Sequence, residues 1–408
     1  MAEDHYQLIV IGGGAAGFFG AITAAEQGCE KILILEKSKE VLTKVRISGG
    51  GRCNVTHDCL DPRELVKSYP RGNRSLHGPF SRFNAADTIA WFKGRGVELK
   101  TEADGRMFPT SNSSETIVTC LTESARKLGV KVRPRCRASS LDNEEDGYRI
   151  QLADGSSLFT EKVLLATGGL RGSEGQKTVA EAGHEFSVPV PSLFTFHIKD
   201  ARLEDLQGVS VPQASVTAGK QTMNGPVLIT HWGLSGPAIL KLSAWSARVF
   251  AECEYHFPLT VNWTNDLKRH EVEALLAEER KHHSTRSIAK RSLIEGITSR
   301  FWHRICETSG ISATQTWANL TKQQTQELVT QLTAAVFQVT GKSTNKDEFV
   351  TCGGVHLKDL NLKTMESKAH SGLFFAGEVL DIDGITGGFN FQAAWTTGHL
   401  AGMAIATG

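Results

Sequence analysis

The eight cysteines of this 408-residue chain, at positions 29, 53, 59, 120, 136, 253, 306 and 352, include no C-x-x-C pair. Scattered cysteines of this kind point to reduced thiols rather than a disulfide framework, and no metal site is expected. The chain also lacks an excess of either charge: 45 Lys and Arg stand against 44 Asp and Glu, a formal charge of +1. That balance removes any whole-surface electrostatic argument for nucleic acid or an anionic membrane. No apolar run approaches the roughly 18 residues of a membrane span. There is no internal repeat and no low-complexity segment. The opening "MAEDHYQLIVIGGG" reads as a strand, with acids where a secretory leader would be basic. The expectation is a cytoplasmic protein of two or three domains, with no membrane partner and no nucleic acid.

What the chain has in quantity is glycine, 40 residues gathered into a few clusters. Clustered glycine suggests backbone that must run close to a ligand. The first cluster sits in "YQLIVIGGGAAGFFGAITAAEQGCEKILILEK", which fits one βαβ unit. Leu8 to Ile11 form a short apolar run suited to a strand buried on both faces. Gly12, Gly14 and Gly17 complete G-x-G-x-x-G, a helix follows and closes at Gly28, and "KILILE" makes the second strand. Gly12 permits the tight turn, Gly14 admits a pyrophosphate and Gly17 allows close helix–strand packing. The helix N-terminus at Ala15 and Ala16 offers free N–H groups to phosphate oxygens. Glu36, next to Lys37, lies where an acid accepts hydrogen bonds from ribose hydroxyls, and it disfavours a 2′-phosphate. The motif itself leaves NAD and FAD both open.

Two later segments separate them. "YRIQLADGSSLF" reads as a hairpin turning at Asp154-Gly155, and "EKVLLATGGLRG" as an apolar strand ending in Ala166, Thr167, Gly168 and Gly169. Near the C-terminus, "LFFAG" is another buried-type strand, followed by Glu378, Asp383, Gly387-Gly388 and a helix to about Ala406. An NAD domain needs no such strand at the far end of its chain, whereas FAD is long and its flavin lies far from the adenosine. The pattern resembles the glutathione-reductase-like FAD fold. That resemblance implies that Glu378 reaches the ribityl chain and that the helix beginning near Gly388 points its positive end at the flavin.

The motifs "SGGGRCNVT", "THWGLSGPAIL", "TCGGV", "TMESK" and "FAGEVLDIDGITGGFNFQAAW" resemble, in the same order, those of the YhiN/BaiN-like flavoproteins, also called the aminoacetone oxidase family. The resemblance implies an α/β fold: a Rossmann-like FAD-binding domain with an inserted β-barrel domain and a small helical domain. The corresponding boundaries are 1–191 and 350–408 for the FAD domain, 192–265 and 336–349 for the barrel, and 266–335 for the helical domain. Short β-like runs from Ser192 to Trp263, then a helical pattern to about Ala335, agree with that division. Two stretches depart from the family: His57 follows Thr56 where asparagine is usual, and the loop after Gly169 is short and lacks a proline.

The second glycine cluster, "VRISGGGRCNVT", is the candidate for wrapping a flat ring. The candidate cofactor-binding set is then Gly12, Gly14, Ala15, Ala16, Gly17, Glu36 and Lys37 at the first turn. Lys44, Ser48, Gly49, Gly50, Gly51, Arg52, Cys53 and Asn54 join it from the second cluster. Ala138, Thr167, Gly168 and Gly169 come from the middle of the chain. Gly377, Glu378, Asp383, Gly387, Gly388, Phe389 and Asn390 come from its end. Cys53 and His231 are the candidate catalytic residues: a thiol beside flavin can exchange electrons, and a histidine can move protons. Against this, Cys53 has no well-spaced resolving partner, and "GLSGPAIL" after His231-Trp232 reads as a turn and helix start. The basic stretch "EERKHHSTRSIAKR" reads as a solvated helix face.

No second G-x-G-x-x-G follows a strand, so a dedicated NAD(P)H domain is absent. The function expected is an FAD-dependent oxidoreductase acting on a small organic substrate by hydride transfer at flavin N5, with oxygen or NAD(P)H as partner. Relatives in the resembling family are associated with aminoacetone oxidation and with reduction of steroid-like enones. The alternatives are a flavoprotein that binds or modifies RNA, and a flavin-based redox sensor centred on Cys53.

Overall fold

The computed structural model describes residues 5–343 and 350–407. The chain divides into two compact units, Met1–Pro191 with Asn345–Gly408, and Ser192–Thr344. Of the segment 336–349 expected in the barrel, residues 344–349 lie outside the described residues.

The first unit is built on a sheet whose parallel core runs Leu373–Phe375, Ser157–Leu165, His5–Ile11, Ile32–Leu35, Lys131–Arg133. Ile9 sits opposite Val163 on one side and Leu33 on the other, and all three are buried. Such two-sided burial is why these strands read as unbroken apolar runs rather than alternating ones. The hairpin Gly147–Leu152 to Ser157–Leu165 pairs antiparallel at its expected place, with Gly155 in the left-handed region.

The helix Ala15–Glu26 is shielded by the C-terminal helix, Phe389–Thr407, at unusually short range. A Cβ at Gly398 would lie 2.7 Å from Ala16 O, and one at Gly402 would lie 2.5 Å from Gly20 O. The two backbones therefore touch where side chains would hold them apart. Phe19, Trp91 and Trp395 fill the space beside that contact, with Phe19 4.5 Å from Trp91 and 5.4 Å from Trp395 between ring centroids. This packing sets the end of the chain against its beginning.

The second unit is a closed six-stranded antiparallel barrel in the order Phe196–His197, Gly233–Ser235, Gln221–Thr230, Ser210–Ala218, His256–Asn262, Ala335–Lys342. Ala335–Lys342 pairs with both His256–Asn262 and Phe196–His197, which closes it. The helices Arg269–His282, Ser299–Thr308 and Lys322–Thr333 belong to the same compact unit. Trp263 ties them to the barrel: its ring meets Phe301 edge-on at 4.9 Å and Phe337 at 6.2 Å. No helix among the described residues is long and apolar enough to cross a membrane.

Candidate cofactor site

The first glycine turn is forced by its neighbours. Gly12 has φ +118° and a Cβ there would stand 2.2 Å from Ala166 O, so this turn abuts the end of the Ala-Thr-Gly-Gly strand. A Cβ on Gly17 would stand 2.0 Å from Gly12 O. Gly14 differs, because nothing lies within 4 Å of its would-be Cβ. Its open side faces whatever the helix N-terminus addresses, and that first turn carries no acid to compete. Glu36 stands beside the turn, accepting from Gly13 N–H at 2.9 Å and Ser38 N–H at 2.7 Å. Each carboxylate oxygen keeps a lone pair for a ribose hydroxyl.

The second glycine cluster is not a simple loop. It ends a short helix that begins at Thr43, with Ser48, Gly49 and Gly50 in non-helical conformations. Gly49, Gly50 and Gly51 have φ of +59°, +69° and +82°, and Cys53 follows at +60°. Three successive left-handed residues are costly for any residue with a Cβ, which explains three glycines in a row. Gly50 and Gly51 have nothing within 4 Å of their would-be Cβ atoms, so this backbone is bare. Ser48 closes the turn by accepting Cys53 N–H at 3.0 Å. Arg52 stacks over Phe108 at 3.9 Å and pairs with Glu102 at 2.6 Å, while Arg46 pairs with Glu115.

Asn54 joins this cluster to the chain's end. With its amide oriented to satisfy both partners, Nδ2 donates to Thr56 O at 3.0 Å and Oδ1 accepts from Gly388 N–H at 2.9 Å. His57, the residue that departs from the family pattern, stacks on Phe389 at 4.5 Å, and its Nδ1 lies 3.0 Å from Gly387 O. Thr56 donates from its hydroxyl to Gln392 Oε1 at 2.6 Å. Asn390 holds Gly384 through two bonds of 2.9 Å.

Glu378 and Lys44, read from sequence as separate contacts to the cofactor, pair with each other at 2.5 Å. Glu378 also accepts Thr351 N–H at 2.8 Å. Burial would raise its carboxyl, but the Lys44 ammonium and the Thr351 hydrogen bonds together hold it below the ordinary 4.5. A depressed carboxylate adds stability above the unfolded value and loses it as pH falls through the folded one. The melting-temperature difference between wild type and Glu378→Gln is therefore expected to be largest above pH 4.5 and to vanish below the carboxylate range. Melting curves across that range check it.

Gly169 permits the same contact, since a Cβ there would be 2.1 Å from Thr351 Oγ1 and 2.9 Å from Glu378 Oε1. Gly377, at φ +79°, would drive a Cβ to 2.8 Å from Ala16 Cβ. The late strand thus delivers Glu378 beside the start of the first helix. Among the sequence candidates, the two glycine clusters, Thr167 to Gly169, Lys44, Gly377, Glu378 and Gly388 are linked by these contacts.

Other candidates stand apart. Asp383 is fully buried and taken by Arg71 in a two-pronged pair, so its carboxylate serves as a clamp beneath the loop. Lys37 is exposed and Ala138 half-buried, at the start of the strand Ala138–Glu144. His231 is exposed on a turn of the barrel unit. Cys53 is wholly buried, and burial pushes its thiol up to about 12, the Ser48 hydroxyl offsetting only part. Sequence reasoning missed Arg71, Thr351, Gln392 and the role of His57. Thr351 and Gln392 carried a signal in their motifs, "TCGGV" and "GGFNFQAAW", and His57 in its departure from the family pattern; Arg71 carried none.

The residues present fit FAD. The Thr167 hydroxyl is buried with no protein partner, at the end of the strand that meets the Gly12 turn. Gly14, Gly50, Gly51 and Gly168 leave open space where side chains would stand. An acid, a helix N-terminus and bare glycine backbone supply the three contacts that ribose, pyrophosphate and a flat ring require.

These parts define an FAD-dependent oxidoreductase with a Rossmann-like cofactor domain. The chain belongs to the HI0933-like family, matching its Rossmann-domain description over residues 6–404. It is 30% identical over 404 residues to the ribosomal RNA dihydrouridine synthase of Escherichia coli K12, covering 97% of this chain and 96% of that one. It is 28% identical over 415 residues to the 3-dehydro-bile acid delta(4,6)-reductase of Clostridium scindens, covering 97% and 98%. The fold is shared with the 3-ketosteroid-delta4-(5alpha)-dehydrogenase of Rhodococcus jostii RHA1, at TM-score 0.54 and 14% identity, with 99% and 97% of the two chains covered.

Proposed function

We propose that this enzyme reduces a carbon–carbon double bond conjugated to a carbonyl, and that its substrate is the C5=C6 bond of a uridine in ribosomal RNA. The observation that carries this reading is end-to-end similarity to two ribosomal RNA dihydrouridine synthases, 30% and 29% identical and covered over 96% and 99% of their lengths. Their name describes the addition of two hydrogens across such a bond. RNA is the alternative the sequence leaves open, since a balanced net charge reports nothing about where charges lie on a surface.

FAD, when bound, supplies the electron pair to the double bond. The chain's residues would hold it: Gly14 and the first helix N-terminus would receive the pyrophosphate, Glu36 the ribose, and Thr167 a polar group through its unpartnered hydroxyl. The bare Gly49–Gly51 backbone would hold the flat ring, and Glu378, oriented by Lys44 and Thr351, would hold the ribityl chain. NAD(P)H is the electron donor of this reading, and it would be held only transiently.

A strain lacking the gene tests the substrate. Nucleoside mass analysis of its ribosomal RNA is expected to show a dihydrouridine lost at one position and regained on complementation; an unchanged dihydrouridine content would discard the RNA reading. A small conjugated enone is the second reading, favoured by the bile-acid reductase matched over 97% of this chain.

A further inference from the structure

The residues that follow the second glycine cluster, Asn54 to His57, each bond to the beginning of the C-terminal helix. Val55 O accepts the Trp395 indole N–H at 2.9 Å, and the Thr56 hydroxyl donates to Gln392 Oε1 at 2.6 Å. Asn54 and His57 act together on a single peptide. Gly388 N–H donates to Asn54 Oδ1 at 2.9 Å, and His57 Nδ1 lies 3.0 Å from Gly387 O. That oxygen and that N–H belong to the same amide plane, between Gly387 at φ +132° and Gly388 at φ +93°. A carbonyl only accepts, so His57 Nδ1 is the protonated nitrogen that donates to it.

A peptide flanked by two glycines turns over at little steric cost, and holding both its ends removes that freedom. The imidazole is seated for this task. One face stacks on Phe389, with ring centroids 4.5 Å apart and planes 28° from parallel. At its Nε2 edge stands Gly105, at φ +83°, where a Cβ would lie only 2.5 Å from Nε2. Tyr69 fixes the next carbonyl, its hydroxyl donating to Phe389 O at 2.6 Å.

The pinned peptide opens a 19-residue helix whose first turn holds no acid and whose first N–H groups have no intrahelical partner. Asn54 also adjoins the glycine run, since a Cβ on Gly49 would lie 3.1 Å from Asn54 N. A positive helix end beside a flavin favours the reduced ring, which carries more negative charge. We propose that His57 is a positioning residue for the flavin: it locks the Gly387–Gly388 peptide, keeps the helix start aimed at the ring and so raises the midpoint potential of bound FAD. This rests on the FAD placement proposed above and not on the identity of the substrate.

The test reads the midpoint potential of the FAD-loaded enzyme by equilibration with a reference dye, together with FAD affinity. His57→Leu keeps apolar bulk and loses the donor. It is expected to favour the reduced form roughly 10-fold less, a fall of about 30 mV for a two-electron couple. His57→Asn offers an amide N–H near the place of Nδ1 and is expected to restore most of that potential. Gly105→Ala unseats the imidazole and should lower the potential likewise, whereas Gly105→Ala with His57→Asn should regain it. Both carry the strain of alanine at φ +83°, so their difference reports the imidazole and serves even where His57→Leu fails to fold. Gly388→Ala tests the placement itself, because a Cβ there would stand 2.5 Å from Thr56 O. If Gly388→Ala shifts the potential or FAD affinity while His57→Leu and Gly105→Ala match wild type, the role of His57 is overturned and the placement stands. If none of the three moves either quantity, both are overturned. Equal falls in His57→Leu and His57→Asn would overturn the hydrogen bond to Gly387 as the cause.

Discussion

Gly17→Val is expected to yield a protein that binds FAD roughly 10- to 100-fold more weakly and melts earlier. The cause is local and steric. A Cβ at position 17 would stand 2.0 Å from the Gly12 carbonyl and 3.1 Å from Val10 Cγ1. The carbonyl belongs to a backbone fixed by Gly12 N–H donating to Leu35 O at 2.8 Å, so the helix must retreat instead. That withdraws its N-terminus from the phosphates and loosens its contact with the C-terminal helix. Overpacking of this kind costs about 1–3 kcal/mol. Gly14→Val is the control, since no protein atom lies within 4 Å of the added carbon. It should lose FAD comparably while the apoprotein melts as wild type does. Flavin absorbance per mole of protein, with apoprotein melting curves, separates clash with the chain from clash with the cofactor.

Arg71→Ala is the second large effect. Asp383 has no solvent-exposed side-chain surface, and Arg71 is 15% exposed. The guanidinium reaches the carboxylate through Nε and Nη2, the fork geometry that suits arginine and not lysine. Removing one partner of a buried ion pair costs about 3–5 kcal/mol. The damage should spread along the loop into the C-terminal helix, because Tyr69 anchors Phe389 O through its hydroxyl at 2.6 Å and Gly72 packs on Ile382. Arg71→Ala combined with Asp383→Ala should be less unstable than Arg71→Ala itself, since the stranded charge is gone. Chemical denaturation of the three variants measures the difference. Equal stability of the single and double variants would show that the pair is not the clamp described here.

The cofactor unit was legible where a local rule has few solutions. G-x-G-x-x-G between a strand and a helix allows one turn, and the run of apolar residues in "KILILE" and "LFFAG" follows from burial on both faces. The antiparallel return of Ala335–Lys342 to the barrel also showed, as β-type residues after a helical stretch. Contacts between distant positions did not show. Glu378 follows Gly377 and Lys44 lies in the helix before Gly49, and sequence offers no means of seeing that each is the other's partner across 334 residues. Asp383 drew attention through its place in a motif, whereas its partner lies in "YPRGN", which has no periodicity or spacing to mark it. The glycine triplet suggested a loop; that it is a left-handed run ending a helix depends on backbone angles no composition reports.

The central claim is that the flavin's electrons go to a conjugated double bond. The direct measurement is anaerobic: bleach the enzyme-bound FAD with NADPH or NADH, remove the excess, and add ribosomal RNA lacking the modification. Recovery of the yellow absorbance, matched by dihydrouridine formed mole for mole with flavin reoxidised, is the result expected. Flavin that stays reduced with RNA and with a conjugated enone alike, and recovers only when oxygen is admitted, would contradict it.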